Sequence, residues 1–247
     1  MTKLSVNVNK VATLRNTRPQ LDIPSVVRCA EICIASGAQG ITVHPRPDQR
    51  HITPRDVDDL VRLLASRAEG ARAVELNIEG NPFLDYMPIV ARARPTQATL
   101  VPDSPETSTS DHGWDLRKDA ERLRPVIAEL KALGTRVSLF MDADAETFDV
   151  ARQIGADRVE LYTEPYAARF AAGDSKAAAP YAAAAKRASS AGLAVNAGHD
   201  LNLANLAPFL AAVPGVAEVS IGHALIGDAL EYGLAETVRK YLRACGS

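Results

Sequence analysis

Short runs of strand-type residues alternate with helical patterns along the whole chain, and this alternation constrains the fold more than any other feature. Strands are predicted at residues 4–8, 40–44, 73–78, 97–101, 136–141, 157–162, 193–197 and 217–221. Helices are predicted at residues 24–36, 54–67, 82–93, 115–133, 145–154, 174–191, 202–213 and 224–243. Eight strands, each followed by a helix, in 247 residues predict an α/β fold, a single (β/α)8 TIM barrel. An open doubly wound sheet is the alternative fold.

Local signals support this assignment. Thr53 is the predicted N-cap of the second helix, with Pro54 as its first residue and the acidic Asp56 as its third. An additional short helix is predicted at residues 165–173. Neither a linker nor a shift in composition divides the chain, so residues 1–247 are expected to form one domain. The polar connection at residues 102–115 is the least regular one, and it lies where a movable lid is expected.

Composition excludes several classes of partner. The net charge is −2, with acids and bases mixed along the chain, so no nucleic-acid partner is expected. The absence of an apolar run of membrane-spanning length, and of a signal-peptide pattern at the start, predicts no membrane association. The three cysteines form no CxxC pair, which indicates a reducing, cytoplasmic environment.

All five histidines follow predicted strands. His44 and His51 come after the second strand, His112 after the fourth, His199 after the seventh and His223 after the eighth. The carboxyl ends of the strands meet at one face of a barrel, where the active sites of this fold lie. The sequence therefore predicts that a catalytic or binding site lies at that face.

Two carboxylates lie inside predicted strands, Glu75 in the third and Glu160 in the sixth. A carboxylate that faces a barrel interior is costly unless it is paired or functional. One interpretation is that both residues point outward or form structural salt bridges. The other is that they are buried acids that exchange protons and have shifted pKa values.

Two parts of the sequence are suited to binding anions. The stretches VNAGHD (195–200) and SIGHALIG (220–227) end the last two strands with Gly-His pairs, at the usual phosphate position of such barrels. The loop after the second strand carries Arg46, Arg50 and His51, and guanidinium groups match phosphate geometry. The same arginines disfavour a metal site, because they repel cations, and the nearest pair of histidines is seven residues apart.

Longer motifs make the chain similar to a known family. They are NVNKVATLRNTR (7–18), GITVHPRPDQRHI (40–52), VELNIEGNP (74–82), TLVPDSPETSTSDHGWD (99–115), VSLFMDAD (137–144), VELYTEPYA (159–167), VNAGHDL (195–201) and IGHALIG (221–227). With these motifs the chain resembles the pyridoxine 5′-phosphate synthase family of vitamin B6 biosynthesis. The resemblance implies a condensation of 1-deoxy-D-xylulose 5-phosphate with 3-amino-2-oxopropyl phosphate, without metal or organic cofactor. It also implies an octamer of barrels.

The resemblance also implies residue roles. His44 and Glu75 match the proton acceptors of the family, His199 its proton donor, and Glu160 a residue that stabilises the transition state. The family residues that contact the amino ketone phosphate match Asn7, Arg18, Asp200, Gly222 and His223. Those that contact the sugar phosphate match Arg46, His51 and Thr109.

The chain departs from the common family pattern in three places. Asn9 and Lys10 replace an Asp-His pair at the sugar phosphate contacts, and Asp200 replaces a glycine near a phosphate. Ser104 and Pro105 occupy lid positions where basic residues are common. These changes leave two alternatives open. One is an aldolase or isomerase that acts on a related phosphorylated ketose, and the other is a barrel that binds phosphoesters without catalysis.

Overall fold

Eight parallel strands close into a barrel in the order β1 to β8, which confirms the predicted fold. The computed structural model describes residues 1–66, 73–104, 106–107 and 109–246. The strands are β1 (Lys3–Asn7), β2 (Gly40–Val43), β3 (Glu75–Gly80), β4 (Gln97–Leu100), β5 (Arg136–Met141), β6 (Arg158–Tyr162), β7 (Ala194–Gly198) and β8 (Val216–Ile221). Each strand pairs with the next, and β8 pairs with β1, so the described sheet has no free edge.

Helices surround this barrel. They are α1 (Asn9–Asn16), α2 (Val26–Ala35), α3 (Pro54–Ala65), α4 (Met87–Ala93), α5 (Leu116–Ala132), α6 (Phe148–Gln153), α7 (Glu164–Ala171), α8 (Ala179–Ser190), α9 (Leu206–Ala212), α10 (His223–Tyr232) and α11 (Leu234–Ala244). A 3-10 turn (Pro19–Leu21) lies between α1 and α2. Within the described ranges, the helices are too short or too polar to cross a bilayer.

The observed elements differ from the predicted ones in instructive places. Helix α7 confirms the additional short helix, whereas α1 was not predicted because its eight residues carry a weak apolar pattern. The predicted last helix is in fact α10 and α11, since Gly233 adopts a φ of 75° between them. Strand β3 begins two residues later than predicted, which moves its carboxyl end to Gly80. Residue 67, the predicted end of a helix, and Pro105 lie outside the described residues.

Side chains alternate along each strand between the barrel interior and the helix layer. In β1, Leu4 and Val6 are fully buried in the apolar core outside the barrel. Ser5 points inward, where its Oγ lies 2.6 Å from Thr42 Oγ1 of β2. The period of two in a strand sends neighbouring residues to opposite faces. The apolar core therefore lies between sheet and helices, and much of the barrel interior is polar.

Hydrogen bonds link many of the inward polar groups. Thr99 Oγ1 donates to Asn77 Oδ1 over 2.9 Å, and Arg158 donates to Asn196 Oδ1 over 3.0 Å. Asn196 in turn lies 3.3 Å from Glu218 Oε1. A buried polar group without a partner costs about 1–3 kcal/mol, so such a lining is stable only when it is connected. This network holds the barrel wall that carries the functional groups.

The start of α3 is fixed by a capping box and a buried ion pair. Thr53 Oγ1 accepts from Asp56 N over 3.3 Å, and Asp56 Oδ2 accepts from Thr53 N over 2.8 Å, which confirms the predicted N-cap. Asp56 also pairs with Arg15 of α1, and both residues are less than a tenth exposed. These contacts hold α1 against α3 below the loop that carries His51.

Replacement of Asp56 by alanine should therefore destabilise the barrel. The change leaves the Arg15 guanidinium buried without its partner and removes the cap, so we expect a loss of about 3–5 kcal/mol in the free energy of unfolding. Urea unfolding measures it. Asp58→Ala in the same helix is the matched control, since its pair with Arg92 is exposed and worth about 0–1 kcal/mol. Equal losses in the two variants would contradict this account.

Candidate active site

The carboxyl ends of the strands bring several titratable side chains together. His44 directly follows β2 and is 7 % exposed, and its Nδ1 lies 3.9 Å from Glu79 Oε2 near the end of β3. His199 directly follows β7, and Glu160 lies in the neighbouring strand β6. The five histidines all lie on this side of the barrel, as predicted: His44, His51, His112, His199 and His223.

Glu79 was not singled out in the sequence, yet it holds a central position. It lies one residue before the end of β3, and Asn7 Nδ2 of β1 donates to its Oε2 over 3.4 Å. Burial, followed by the nearby carboxyls of Glu160 and Asp103, raises the pKa of Glu79 well above its ordinary value. A buried carboxyl group with a raised pKa beside an imidazole is suited to proton exchange.

The structure does not bring Glu75 to this group. Glu75 is the first residue of β3, at the amino end of the barrel, where it accepts from Lys3 Nζ over 2.5 Å and pairs with Arg136. Burial opposes ionisation, but the hydrogen bonds from these two cations lower the pKa of Glu75. Its expected placement among the catalytic groups was wrong, because Glu75 begins β3, whereas Glu79 lies near the carboxyl end of that strand. The structure agrees with the other interpretation, in which Glu75 forms structural salt bridges.

Glu160 is a buried acid, as one of the two interpretations required. It is 3 % exposed, and its Oε2 has no hydrogen-bond partner among the described residues. Burial, followed by the charge of Glu218, raises the pKa of Glu160 to about 8. Gly198 of β7 makes room for this carboxyl group, since a Cβ atom at that position would collide with Glu160 Oε1. Gly198, which precedes His199, therefore leaves space for the Glu160 carboxyl group in the site.

His199 is held in an unusual backbone conformation. Its φ is 87° and that of Asp200 is 60°, a region that residues other than glycine rarely adopt. The imidazole lies against Tyr162, with ring centroids 5.1 Å apart, and its Nε2 lies 2.9 Å from Thr109 Oγ1 in the loop after β4. Its Nδ1 lies 3.5 Å from Asp200 Oδ1. The ring thus reaches both the site and the predicted lid.

A cluster of cationic groups surrounds His51. Burial, followed by the charges of Arg46, Lys10 and Arg50, lowers the pKa of His51 to about 4. The ring centroids of His51 and His44 are 6.1 Å apart. A neutral imidazole among three cations is an environment that favours a bound anion. The structure therefore brings Arg46, His51 and Lys10 together, as the proposed sugar phosphate contacts require.

Arg46 is engaged with the loop at residues 102–115. It is 5 % exposed, and its guanidinium donates to Asp103 Oδ2 over 3.2 Å and to the carbonyl oxygens of Ser104 and Thr107 over 2.9 Å each. An arginine that donates to the backbone fixes a loop with more geometric precision than an exposed charge does. Arg46 therefore anchors the predicted lid to the loop after β2.

The remaining predicted contacts lie along α1 and at the start of α10. Gly222 is the N-cap of α10 and packs against Asn7, and His223 is the first residue of that helix. Asn9 Oδ1 accepts from the backbone N–H of His44 over 2.9 Å. The amide of Asn9 thus positions the backbone at His44.

Lys10 and His223 lie near Asp200. Contact with His199, followed by the charges of His223 and Lys10, lowers the pKa of Asp200. Arg18 is exposed, and no hydrogen bond or ion pair joins it to the other site residues within the described part of the chain. No group of three or more His, Cys, Asp or Glu among the described residues has an arrangement that could hold a metal ion.

Fold and site together define a (β/α)8-barrel with acid–base and anion-binding groups at the carboxyl ends of its strands. A model of the pyridoxal phosphate biosynthesis protein PdxJ family matches residues 4–247, and the chain belongs to this family.

Individual comparisons agree with this assignment. The chain is 56% identical to a pyridoxine 5′-phosphate synthase of Albidiferax ferrireducens, over 98% of the chain and 96% of the relative. It is 55% identical to one of Xanthomonas oryzae pv. oryzae, over 98% and 95%. Among solved structures, a thiamine phosphate pyrophosphorylase of Pyrococcus furiosus has the same fold, with a TM-score of 0.61, 13% identity and coverage of 98% and 94%.

The raised pKa of Glu160 predicts a pH-dependent stability. The folded state binds a proton that the unfolded state, with a pKa of about 4.3, has lost, so the free energy of unfolding should fall as pH rises from about 5 to about 8. The fall is at most about 1.4 kcal/mol per pH unit. Urea unfolding across this range should show a shallower slope for Glu160→Gln. Glu129→Gln, on the exposed face of α5, should keep the wild-type slope. Parallel curves for wild type and Glu160→Gln would contradict the assignment.

Proposed function

We propose that the chain is a pyridoxine 5′-phosphate synthase. It condenses 1-deoxy-D-xylulose 5-phosphate with 3-amino-2-oxopropyl phosphate to pyridoxine 5′-phosphate, inorganic phosphate and water, without metal or organic cofactor. The observation that carries this proposal is the buried pair of His44 and Glu79 beside the cationic cluster around His51. Relatives of that name, at about 55% identity over nearly the whole chain, support it.

Three acid–base groups perform the proton transfers. The amine of the amino ketone attacks the ketone carbon of the sugar phosphate, and loss of water gives a Schiff base. His44 and Glu79 accept protons during dehydration and ring closure, with Glu79 in the place first given to Glu75. His199 donates a proton to a leaving group. These groups lie on strand ends, so positioning contributes much of the rate enhancement.

Glu160 stabilises cationic character that develops in the reaction. It is buried and has a pKa near 8, so a cationic intermediate nearby would favour its ionised form. Its Oε2, which has no hydrogen-bond partner among the described residues, is able to accept a hydrogen bond from such a species. This role agrees with the match to the stabilising residue of the family.

Two phosphate subsites hold the substrates. Arg46, His51 and Thr109 bind the sugar phosphate, together with Asn9 and Lys10. Asn7, Arg18, Asp200, Gly222 and His223 contact the amino ketone phosphate. The first backbone N–H groups of α10 have no partner within the helix, and they and the helix dipole favour a phosphate at the second subsite. Phosphate at the first subsite competes with the loop carbonyls for Arg46, so binding there is coupled to the lid.

The native enzyme is a cytoplasmic homo-octamer in which residues 1–247 act as one domain. Apolar side chains around the turn after α1 support an assembly, because Leu14, Leu21 and Ile23 are each more than half exposed. Exposed apolar residues grouped in this way mark interaction surfaces. The partners of the chain are small phosphorylated substrates and further copies of itself.

Purified protein mixed with both substrates should release pyridoxine 5′-phosphate and inorganic phosphate in equal amounts. Product fluorescence and a phosphate assay measure the two. Excess chelator should leave the rate unchanged, because no step requires a metal. Reactions that lack either substrate are the controls. Conversion of the sugar phosphate alone would favour the aldolase or isomerase alternative, and binding without turnover would favour the phosphoester-binding alternative.

The two carboxylates of β3 should differ in function. Glu79→Gln removes a proton acceptor beside His44, so kcat should fall about 100-fold or more. Glu75→Gln weakens the pairs with Lys3 and Arg136, so it should lower the melting temperature. Its effect on kcat should be much smaller than that of Glu79→Gln. Steady-state kinetics and thermal unfolding of both variants test this contrast. A greater loss of kcat in Glu75→Gln would restore Glu75 to the mechanism.

A further inference from the structure

A second buried carboxylate lies beside the catalytic imidazole. Asp103 follows β4 in the loop at residues 102–115, and it is 4 % exposed. Its Oδ2 lies 3.8 Å from His44 Nε2, on the side of the ring opposite the contact with Glu79. Its Oδ1 is buried and has no hydrogen-bond partner among the described residues. His44 is therefore enclosed between two carboxyl groups.

Burial raises the pKa of Asp103, whereas the charge of Arg46 and a hydrogen bond from Ser110 favour its ionised form. Arg46 donates to Asp103 Oδ2 over 3.2 Å and Ser110 Oγ donates to the same oxygen over 3.0 Å. Asn81 Nδ2 donates to the backbone oxygen of Asp103 over 2.9 Å. A buried carboxylate is stable where a guanidinium and a hydroxyl donate to it. These contacts thus fix the Asp103 carboxyl group 3.8 Å from His44 Nε2, where its negative charge favours a proton on that nitrogen.

The imidazole of His44 is in its neutral form, in which a nearby carboxylate influences the position of the ring proton. Burial, followed by His51 and Arg46, lowers the pKa of His44 well below its ordinary value, so the ring is neutral at neutral pH. A neutral imidazole carries one proton, and the group that accepts a hydrogen bond from one nitrogen decides which nitrogen is basic. The carboxyl group of Glu79, whose pKa burial raises, lies on the Nδ1 side of the ring, 3.9 Å away.

We infer that Asp103 is a positioning residue that keeps the proton of His44 on Nε2. Nδ1 is then the basic nitrogen, and it faces Glu79 and the centre of the site. This inference rests on the proposed role of His44 as a proton acceptor, but the tautomer itself is a property of the substrate-free protein. Arg46 links Asp103 to the predicted lid, so the loop that covers the substrates also determines which nitrogen of His44 is basic.

Nuclear magnetic resonance tests the tautomer directly. Long-range ¹H–¹⁵N spectra of protein labelled with ¹⁵N-histidine, at neutral pH, distinguish a protonated from an unprotonated ring nitrogen. The His44 signals are identified by their loss in His44→Gln. We expect wild-type His44 to carry its proton on Nε2. A proton on Nδ1 in the wild-type protein would overturn the inference, whatever the activity of the enzyme.

Variants separate this role from a structural one. Asp103→Asn keeps the size of the side chain but loses its charge, so the Nε2–H population should fall and kcat should fall about 10- to 100-fold, with KM for both substrates within about threefold. Asp103→Glu restores a carboxylate and should recover part of kcat. A rise in KM with unchanged kcat and tautomer in Asp103→Asn would mean that Asp103 only anchors the loop, and would refute the inference.

Ser110→Ala is the matched control. It removes a hydrogen bond to the same oxygen but leaves the carboxylate and its contact with Arg46 in place. We expect the tautomer to be unchanged and kcat to stay within about threefold of wild type, since the charge beside Nε2 remains. Equal effects of Ser110→Ala and Asp103→Asn on both readouts would contradict the assignment to the carboxylate.

Discussion

Burial of several carboxyl groups at one end of a barrel is the constraint on which the site depends. Glu79, Glu160 and Asp103 lie near one another with little access to water, and burial raises the pKa of each. The charge of Glu160 makes ionisation of Glu79 harder, whereas the charge of Arg46 favours the ionised form of Asp103. The polar network of the barrel wall keeps these groups in place.

The cationic cluster and the acid–base groups are physically joined. Arg46 belongs to the cluster around His51, and it also contacts Asp103 Oδ2, the oxygen that lies nearest His44 Nε2. Because the same guanidinium anchors the loop at residues 102–115, phosphate binding, loop position and the orientation of the base form one connected unit. Such coupling allows binding energy at the phosphate to organise groups that act on carbon-bound protons.

Much of the fold could be predicted from the sequence because it depends on local periodicity. Eight alternating units, the cap at Thr53 and the placement of the histidines after strands all follow from residues close together in the chain. The site was predicted less completely. Glu75 was expected at the site, whereas the structure places Glu79 there. The two residues are four apart in β3 and share one face of the strand, so the alternation of side chains does not distinguish them. Only the paired strands fix which of the two reaches the carboxyl end.

The sequence by itself determined the barrel, the side of it that carries the chemistry, and the kinds of groups that are present there. Tertiary structure decided the distances between them. Nothing in the local sequence distinguishes Asp103 within its polar loop, and contacts with the residues that follow β2 and β3 hold it beside His44. The pKa values of Glu79, Glu160 and His44 were likewise set by burial and by neighbours that are distant in the chain. Electrostatic energy depends on separation in space and on exclusion of water, and neither is encoded in any single segment.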